Sequence, residues 1–191
     1  ENDEGYYYRG LFYEEEEELE LALADYQKAV ELDPQARDSN FGVAYMYQSL
    51  ERFDIALSSY LQYIKQFGEF HMVYNNIALI YQNDLEDYEK ALEYYNKAIE
   101  IEPNESLYYE NRAKLFYNAL NKKEEALSDL NKAIELGSED DEGYYNRGSF
   151  YENEGELELA LADYQKAVEL DPQDSDSYFR VAYVSYSLER F

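Results

Sequence analysis

Residues 3–34 read DEGYYYRGLFYEEEEELELALADYQKAVELDP, and residues 141–172 read DEGYYNRGSFYENEGELELALADYQKAVELDP. The order of small, aromatic and proline residues in these two strings decides the organisation of the chain. Tyr6-x2-Arg9-Gly10-x2-Tyr13 is followed by Ala22-x3-Tyr26, Ala29 and Pro34; the later copy runs Tyr144-x2-Arg147-Gly148-x2-Tyr151, then Ala160-x3-Tyr164, Ala167 and Pro172. With small or aromatic substitutes the spacing returns three times between them. Five units result, at 3–36, 37–70, 71–105, 106–140 and 141–174, with a half unit or capping helix at 175–191. A fixed period of this length marks a stacked array, in which each unit needs a neighbour to cover its apolar face.

Each unit reads as two antiparallel helices. Gly10, Ala44, Ala78, Ala113 and Gly148 in the first helices, and Ala22, Ala56, Ala91, Ala126 and Ala160 in the second, let two helix axes approach closely. Tyr13, Tyr47, Tyr81, Phe116 and Tyr151, with Tyr26, Tyr60, Tyr95 and Tyr164 in second helices, stand at helical spacing from those small residues and read as core. Pro34, Pro103 and Pro172 stop second helices because proline cannot continue the hydrogen-bond ladder. The fold class is therefore all-α. Three units pair an Arg at their seventh position (Arg9, Arg112, Arg147) with an Asp in the second helix (Asp25, Asp129, Asp163), and the other two full units carry neither, which predicts an ion pair inside three hairpins. Units three and four hold one extra residue between their helices. Unit two has Tyr63 where the others have Ala29, Ala98, Ala133 and Ala167, so the chain near Phe67 to Phe70 is expected to pack differently.

These eight recurring positions resemble the tetratricopeptide repeat family over essentially the whole chain, with Tyr where that family's first-helix Trp usually stands. The resemblance implies a single array over 1–191, an α-solenoid of helix hairpins wound into a right-handed superhelix, with the first helices lining the inner wall. It also implies which first-helix positions meet a ligand. On this sequence they are Tyr7 and Leu11; Phe41, Tyr45 and Gln48; Asn75, Asn76, Leu79 and Gln82; Glu110, Asn111, Lys114 and Tyr117; Tyr145, Asn146, Ser149 and Glu152; and, in the half unit, Phe179, Arg180, Tyr183 and Tyr186. Aromatic rings offer contact area at low entropic cost, and side-chain amides can pair with the backbone of an extended peptide. The Lys and Asn set with which some family members grip a C-terminal carboxylate is replaced here by Tyr7, Leu11, Gly42 and Met72.

Composition narrows the partners. Forty-three acidic residues against 16 basic ones leave a formal charge of -27, which repels nucleic acid and anionic membrane surfaces. The expected partner is a protein or peptide, neutral or basic. The 24 Tyr and 9 Phe are too many for a disordered acidic tail. With no cysteine, no metal-ligand spacing, no phosphate-cradling glycine loop and a single His71 at a helix start, nothing supports an enzyme or a bound cofactor. The run Glu14 to Glu18 concentrates carboxylates, but its copy at 152–156 loses two of them, and a solvated acidic corner is expected rather than a calcium site. No stretch is apolar enough to cross a membrane and no signal peptide opens the chain, so a soluble location is expected, the cytoplasm slightly ahead of others.

A longer repeat overlies the short one. Residues 1–53 match 139–191 at 41 of 53 positions. The second-helix segments 18–35 and 156–173 are identical, and five differences fall on the inner wall: Tyr8 against Asn146, Leu11 against Ser149, Glu15 against Asn153, Gly42 against Arg180, Gln48 against Tyr186. The frame is held while the wall varies, as divergence in binding preference or drift on a tolerant surface would leave it. The sequence opens on Glu and its last residue falls inside a repeat, which reads as a piece of a longer array or a built block. The alternative function is a structural or designed module that self-assembles head to tail, the half unit exposing Val181, Val184 and Leu188 to the opening helix near Tyr6 and Tyr7.

Overall fold

The computed structural model describes residues 2–137 and 141–189. Among the described residues there are eleven helices and no strand: α1 Asp3–Glu15, α2 Leu19–Leu32, α3 Arg37–Ser49, α4 Phe53–Phe67, α5 His71–Asn83, α6 Tyr88–Ile101, α7 Ser106–Asn118, α8 Lys123–Leu136, α9 Asp141–Asn153, α10 Leu157–Leu170 and α11 Ser175–Leu188. They gather into two compact units, α1–α6 up to Ile101 and α7–α11 from Glu102. The turn inside a hairpin has three residues in α1–α2, α3–α4 and α9–α10 and four in α5–α6 and α7–α8, as the extra residues required. Each of the five turns places one residue at positive φ, namely Glu17, Glu51, Glu86, Asn121 and Gly155.

The small residues do what their spacing implies. Ala22, Ala44, Ala56, Ala78, Ala91, Ala126 and Ala160 have no exposed surface. Tyr26 lies between two glycines: a Cβ at Gly10 would meet its ring at 2.8 Å, and one at Gly42, on the next first helix, at 2.9 Å. A side chain at either place would force the Tyr26 ring to shift. The same slot in other hairpins holds Tyr60, Tyr95 and Tyr164, all fully buried. Each phenol finds an acceptor on the last turn of its first helix: Tyr26 donates to Glu14 (2.6 Å), Tyr60 to Gln48 (2.8 Å), Tyr95 to Gln82 (2.9 Å) and Tyr164 to Glu152 (2.7 Å). A buried hydroxyl left without a partner would cost about 1–3 kcal/mol.

The three ion pairs form. Arg9 and Asp25, Arg112 and Asp129, and Arg147 and Asp163 are each joined by two parallel N–H···O bonds, the second pair at 2.7 and 2.8 Å and the third at 2.7 Å for both. The fork geometry of arginine on carboxylate makes such pairs stronger than single contacts. In the second hairpin Tyr63 is buried among Phe41, Phe67 and Phe70, with ring centroids 5.0–6.2 Å apart, and its hydroxyl accepts from Arg37 Nε at 2.7 Å. Helix α4 runs to Phe67 and is stopped by Gly68 at φ 87°.

One expectation is corrected. Val181, Val184 and Leu188 do not form the exposed face of α11. Val184 is fully buried, and Val181 and Leu188 pack with it against Ala160 and Tyr164. The helix turns its aromatic side outward instead, leaving Tyr178, Phe179, Tyr183 and Tyr186 half or more exposed.

Candidate functional site

The wall expected to meet a ligand divides by what each side chain touches. In the unit up to Ile101, Gln48 and Gln82 are turned onto the phenols of Tyr60 and Tyr95, and Asn76 Nδ2 donates to the Tyr60 hydroxyl at 3.0 Å. Asn75 is buried. Phe41 is wedged among Tyr60, Tyr63 and Phe70 and also lies parallel to Tyr45 at 6.2 Å. Tyr45 is exposed, while Tyr7, Leu11 and Leu79 are half-buried. Burial, with Asp38 next in effect, raises the Tyr7 hydroxyl above its ordinary pKa of 10.0, so it stays a neutral donor.

In the unit from Glu102, Glu110 is nearly fully buried and accepts from Asn146 Nδ2 at 2.7 Å, and Asn111 is buried beside it. Glu152 accepts from the Tyr164 hydroxyl at 2.7 Å and lies 3.4 Å from the Arg180 guanidinium. Arg180 also donates to the Tyr145 hydroxyl at 3.4 Å, and Tyr145 in turn packs on the Tyr164 ring at 5.5 Å. Phe179 stacks with Tyr183 at 6.3 Å on the exposed side of α11. Both cations of the wall are thus beside carboxylates, Lys114 with Glu142 at 3.8 Å and Arg180 with Glu152.

Four expected residues do converge. Lys114 and Tyr117 of α7 face Asn146 and Ser149 of α9 across a cleft of about 220 Å³. Ala113, Leu130 and Phe150, all buried, close its floor, while Asn118 and Asn153 stand exposed at its rim. Tyr117 is held at the cleft's edge, its hydroxyl donating to Glu154 at 2.9 Å and its ring meeting Phe150 edge-on at 5.1 Å. Lys123 completes that corner, 2.8 Å from the other oxygen of Glu154, and together with Tyr117 it lowers the Glu154 pKa below the ordinary carboxylate value. Burial raises the Tyr117 hydroxyl in turn. Nothing in the cleft suits bond-making chemistry: it holds amides, hydroxyls and one ammonium, with no base aligned on a nucleophile. It presents amide and hydroxyl groups beside an apolar floor.

The residues missed were Asn118, Phe150 and Leu130; Asn153 was placed on the inner wall by its difference from Glu15 but not among the ligand-meeting positions. Asn118 and Asn153 lie one helical position past the expected wall residues Tyr117 and Glu152. Leu130 was visible as the one second-helix residue that breaks the series Tyr26, Tyr60, Tyr95, Tyr164.

Known proteins with the same architecture bear on the site. Family models described as tetratricopeptide repeat match residues 4–35, 142–174 and 73–105, together about half of the chain. No curated protein sequence matches. Among solved structures, TTC0263, a thermophilic tetratricopeptide protein of Thermus thermophilus, is 21% identical over 96% of this chain and 99% of its own, with a TM-score of 0.77. YrrB, described as a tetratricopeptide protein with an unusual peptide-binding site, is 25% identical over 91% of this chain and 89% of its own, with a TM-score of 0.63. The first tetratricopeptide domain of Spaghetti (RPAP3), bound to the HSP90 peptide SRMEEVD, is 26% identical over 62% of this chain and 93% of its own, with a TM-score of 0.56.

Proposed function

Because the chain belongs to the tetratricopeptide repeat family, we propose that it is a non-catalytic scaffold that holds a neutral or basic peptide segment of a partner protein against its first helices. The observation that carries this reading is the convergence of Lys114, Tyr117, Asn146 and Ser149 on one cleft, with amides at its rim. Amides offer both donors and acceptors to an extended backbone. The peptide sites of YrrB and of the Spaghetti domain support the class of partner. The acidic SRMEEVD peptide of the latter is a poor guide to charge, since the two wall cations here already sit beside carboxylates and the chain carries -27 overall.

A fluorescence-anisotropy screen of neutral, lysine-rich and glutamate-rich peptides at low and high salt tests the proposal. Neutral and basic peptides bind, and the basic ones weaken as salt screens the attraction. Acidic peptides binding as tightly as basic ones, at either salt level, would overturn the charge preference. No binding by any class would overturn the scaffold itself.

A second reading is head-to-tail self-association. The outward aromatic face of α11, with Phe179 65% and Tyr186 59% exposed, and the exposed Tyr8 and Phe12 of α1 are the surfaces it would use. A mass by light scattering that stays monomeric up to millimolar protein, or that is unchanged in a Phe179→Glu variant, removes it.

A further inference from the structure

Four hairpins fill the slot between their helices with a tyrosine, and the remaining one, α7–α8, does not. Tyr26 touches position eight of its own first helix (Gly10) and position six of the next (Gly42), and its hydroxyl reaches position twelve (Glu14). The residues at those three positions around α7–α8 are Ala113, Asn146 and Tyr117, and all three line the cleft, with Leu130 at the place from which the tyrosine would grow. The cleft is therefore the space of an absent phenol ring. Tyr117 does not refill it, because its hydroxyl is drawn to Glu154.

We infer that this cleft is an anchor pocket for a phenylalanine side chain of the peptide partner. The inference rests on the scaffold reading for its biological meaning and on the geometry alone for the pocket. Size agrees: an engineered cavity of roughly 150 Å³ holds benzene, and about 220 Å³ is open here. The direction of entry decides which ring. A tyrosine grown from α8 would point its hydroxyl outward to the rim, whereas a ligand ring comes from the rim and points its tip at Leu130, Ala113 and Phe150. A phenol tip would be buried against that floor without a partner, at a cost of about 1–3 kcal/mol, so an apolar tip is selected. The rim suits the peptide backbone that carries the ring. Asn118, Asn146, Asn153 and Ser149 meet the amides on either side of a phenylalanine, and the Lys114 charge, balanced by Glu142, asks no net charge of the segment.

The test uses N-acetylphenylalaninamide, a ring flanked by two amides, titrated into the whole chain and followed by amide chemical shifts. Expected are saturable shifts confined to Asn118, Asn146, Ser149 and Asn153 and their neighbours, a loss of affinity of at least tenfold in Leu130→Tyr, and at least threefold weaker binding of N-acetyltyrosinamide. Leu130→Tyr restores the residue that the other hairpins carry. Ser149→Leu blocks the same space from the rim, and gives the same loss should Leu130→Tyr fold poorly. Shifts scattered over the surface, equal binding by N-acetylalaninamide or N-acetyltyrosinamide, or undiminished binding by both filled variants would each overturn the pocket. If the probe binds as expected while no peptide class binds, the scaffold reading falls and the pocket stands. If peptides bind but filling the pocket changes neither them nor the probe, the pocket falls and the scaffold stands.

Discussion

In α9–α10 the slot between the helices is closed by Tyr164, whose ring rests 3.0 Å from where a Cβ on Gly148 would lie and whose hydroxyl ends on Glu152; in α7–α8 the slot holds Leu130 above Ala113 and stays open. The two hairpins share the contacts that join their helices, although the α7–α8 turn is one residue longer. Ala126 and Ala160 are equally buried, and Arg112–Asp129 and Arg147–Asp163 are the same two-bond clasp. What the difference teaches is that alanine contact and clasp set the frame, while the filler is separable from it. A concave site can then be opened in one hairpin without rebuilding the others.

The sharpest way to break that comparison is Tyr164→Leu, which makes α10 imitate α8. It removes a fully buried ring and the phenol that donates to Glu152, leaving that carboxylate beside Arg180 at 3.4 Å. The expected loss is about 2–4 kcal/mol in denaturant unfolding. Leu130→Tyr, which enters space already open, should stay within about 1.5 kcal/mol of the parent. Equal costs in the two directions would mean that α7–α8 is not an opened version of its neighbour but a frame of its own.

The shared clasp gives the next largest effect. Asp129→Ala and Asp163→Ala should each cost about 2 kcal/mol, below the 3–5 kcal/mol of a fully buried pair, because the guanidinium side chains keep 17% and 21% of their surface in water. The two values should agree within about 0.5 kcal/mol. Asp25→Ala should cost less, since the Arg9 side chain is half exposed. A large gap between Asp129→Ala and Asp163→Ala would deny that the frames are the same.

Frame and filler also differ in how legible they are in sequence. The clasp could be read because Arg and Asp occur together in three units and are absent together in two, as contact within one hairpin requires. Alanine spacing and turn length fixed the helices for the same local reason. The site was harder. Gln48, Gln82 and Glu152 occupy wall positions, yet each is rotated onto a core phenol, and Glu110 onto Asn146. Helical position tells which face a residue starts from, not which partner takes its side chain. Leu130 was the opposite case: its break in the series Tyr26, Tyr60, Tyr95, Tyr164 is legible, but the space left by a missing ring shows only once the neighbouring helices are in place. Val184 repeats the lesson, since α10 covered it.

Alkaline pH separates the hairpins by a smaller step. Burial first, with the Glu152 hydrogen bond adding to it, raises the Tyr164 hydroxyl far above its ordinary pKa of 10.0, and burial does the same for Tyr60 and Tyr95. The unfolded chain loses those protons near pH 10 while the folded one keeps them, so the stability is intact below pH 10 and declines above it. The slope is about 1.4 kcal/mol per pH unit for each such tyrosine. Tyr164→Phe should flatten the decline by one tyrosine and Leu130→Tyr should steepen it by one, as read from unfolding midpoints between about pH 9 and 11. An unchanged slope in Leu130→Tyr would mean that the new phenol stays in water and the slot does not accept a ring.

The smallest effect concerns the turns, and it compares α9–α10 with its distant copy α1–α2. Gly155 and Glu17 occupy equivalent places, with φ of 80° and 59°, and their amides make the same 3.1 Å bond to Glu152 O and Glu14 O. A side chain at positive φ brings Cβ close to the neighbouring carbonyl and costs roughly 1–2 kcal/mol, whereas glycine is indifferent. Glu17 therefore holds a strained conformation that Gly155 does not. Gly155→Ala should destabilise by about 1 kcal/mol, and nothing lies within 4 Å to make the loss a clash instead. Glu17→Gly should recover less than that, because glycine also gives the unfolded chain more freedom to lose. It also removes one of five consecutive carboxylates, Glu14 to Glu18, and a gain that shrinks with added salt would belong to their repulsion rather than to the backbone. A gain that persists at high salt assigns it to the turn.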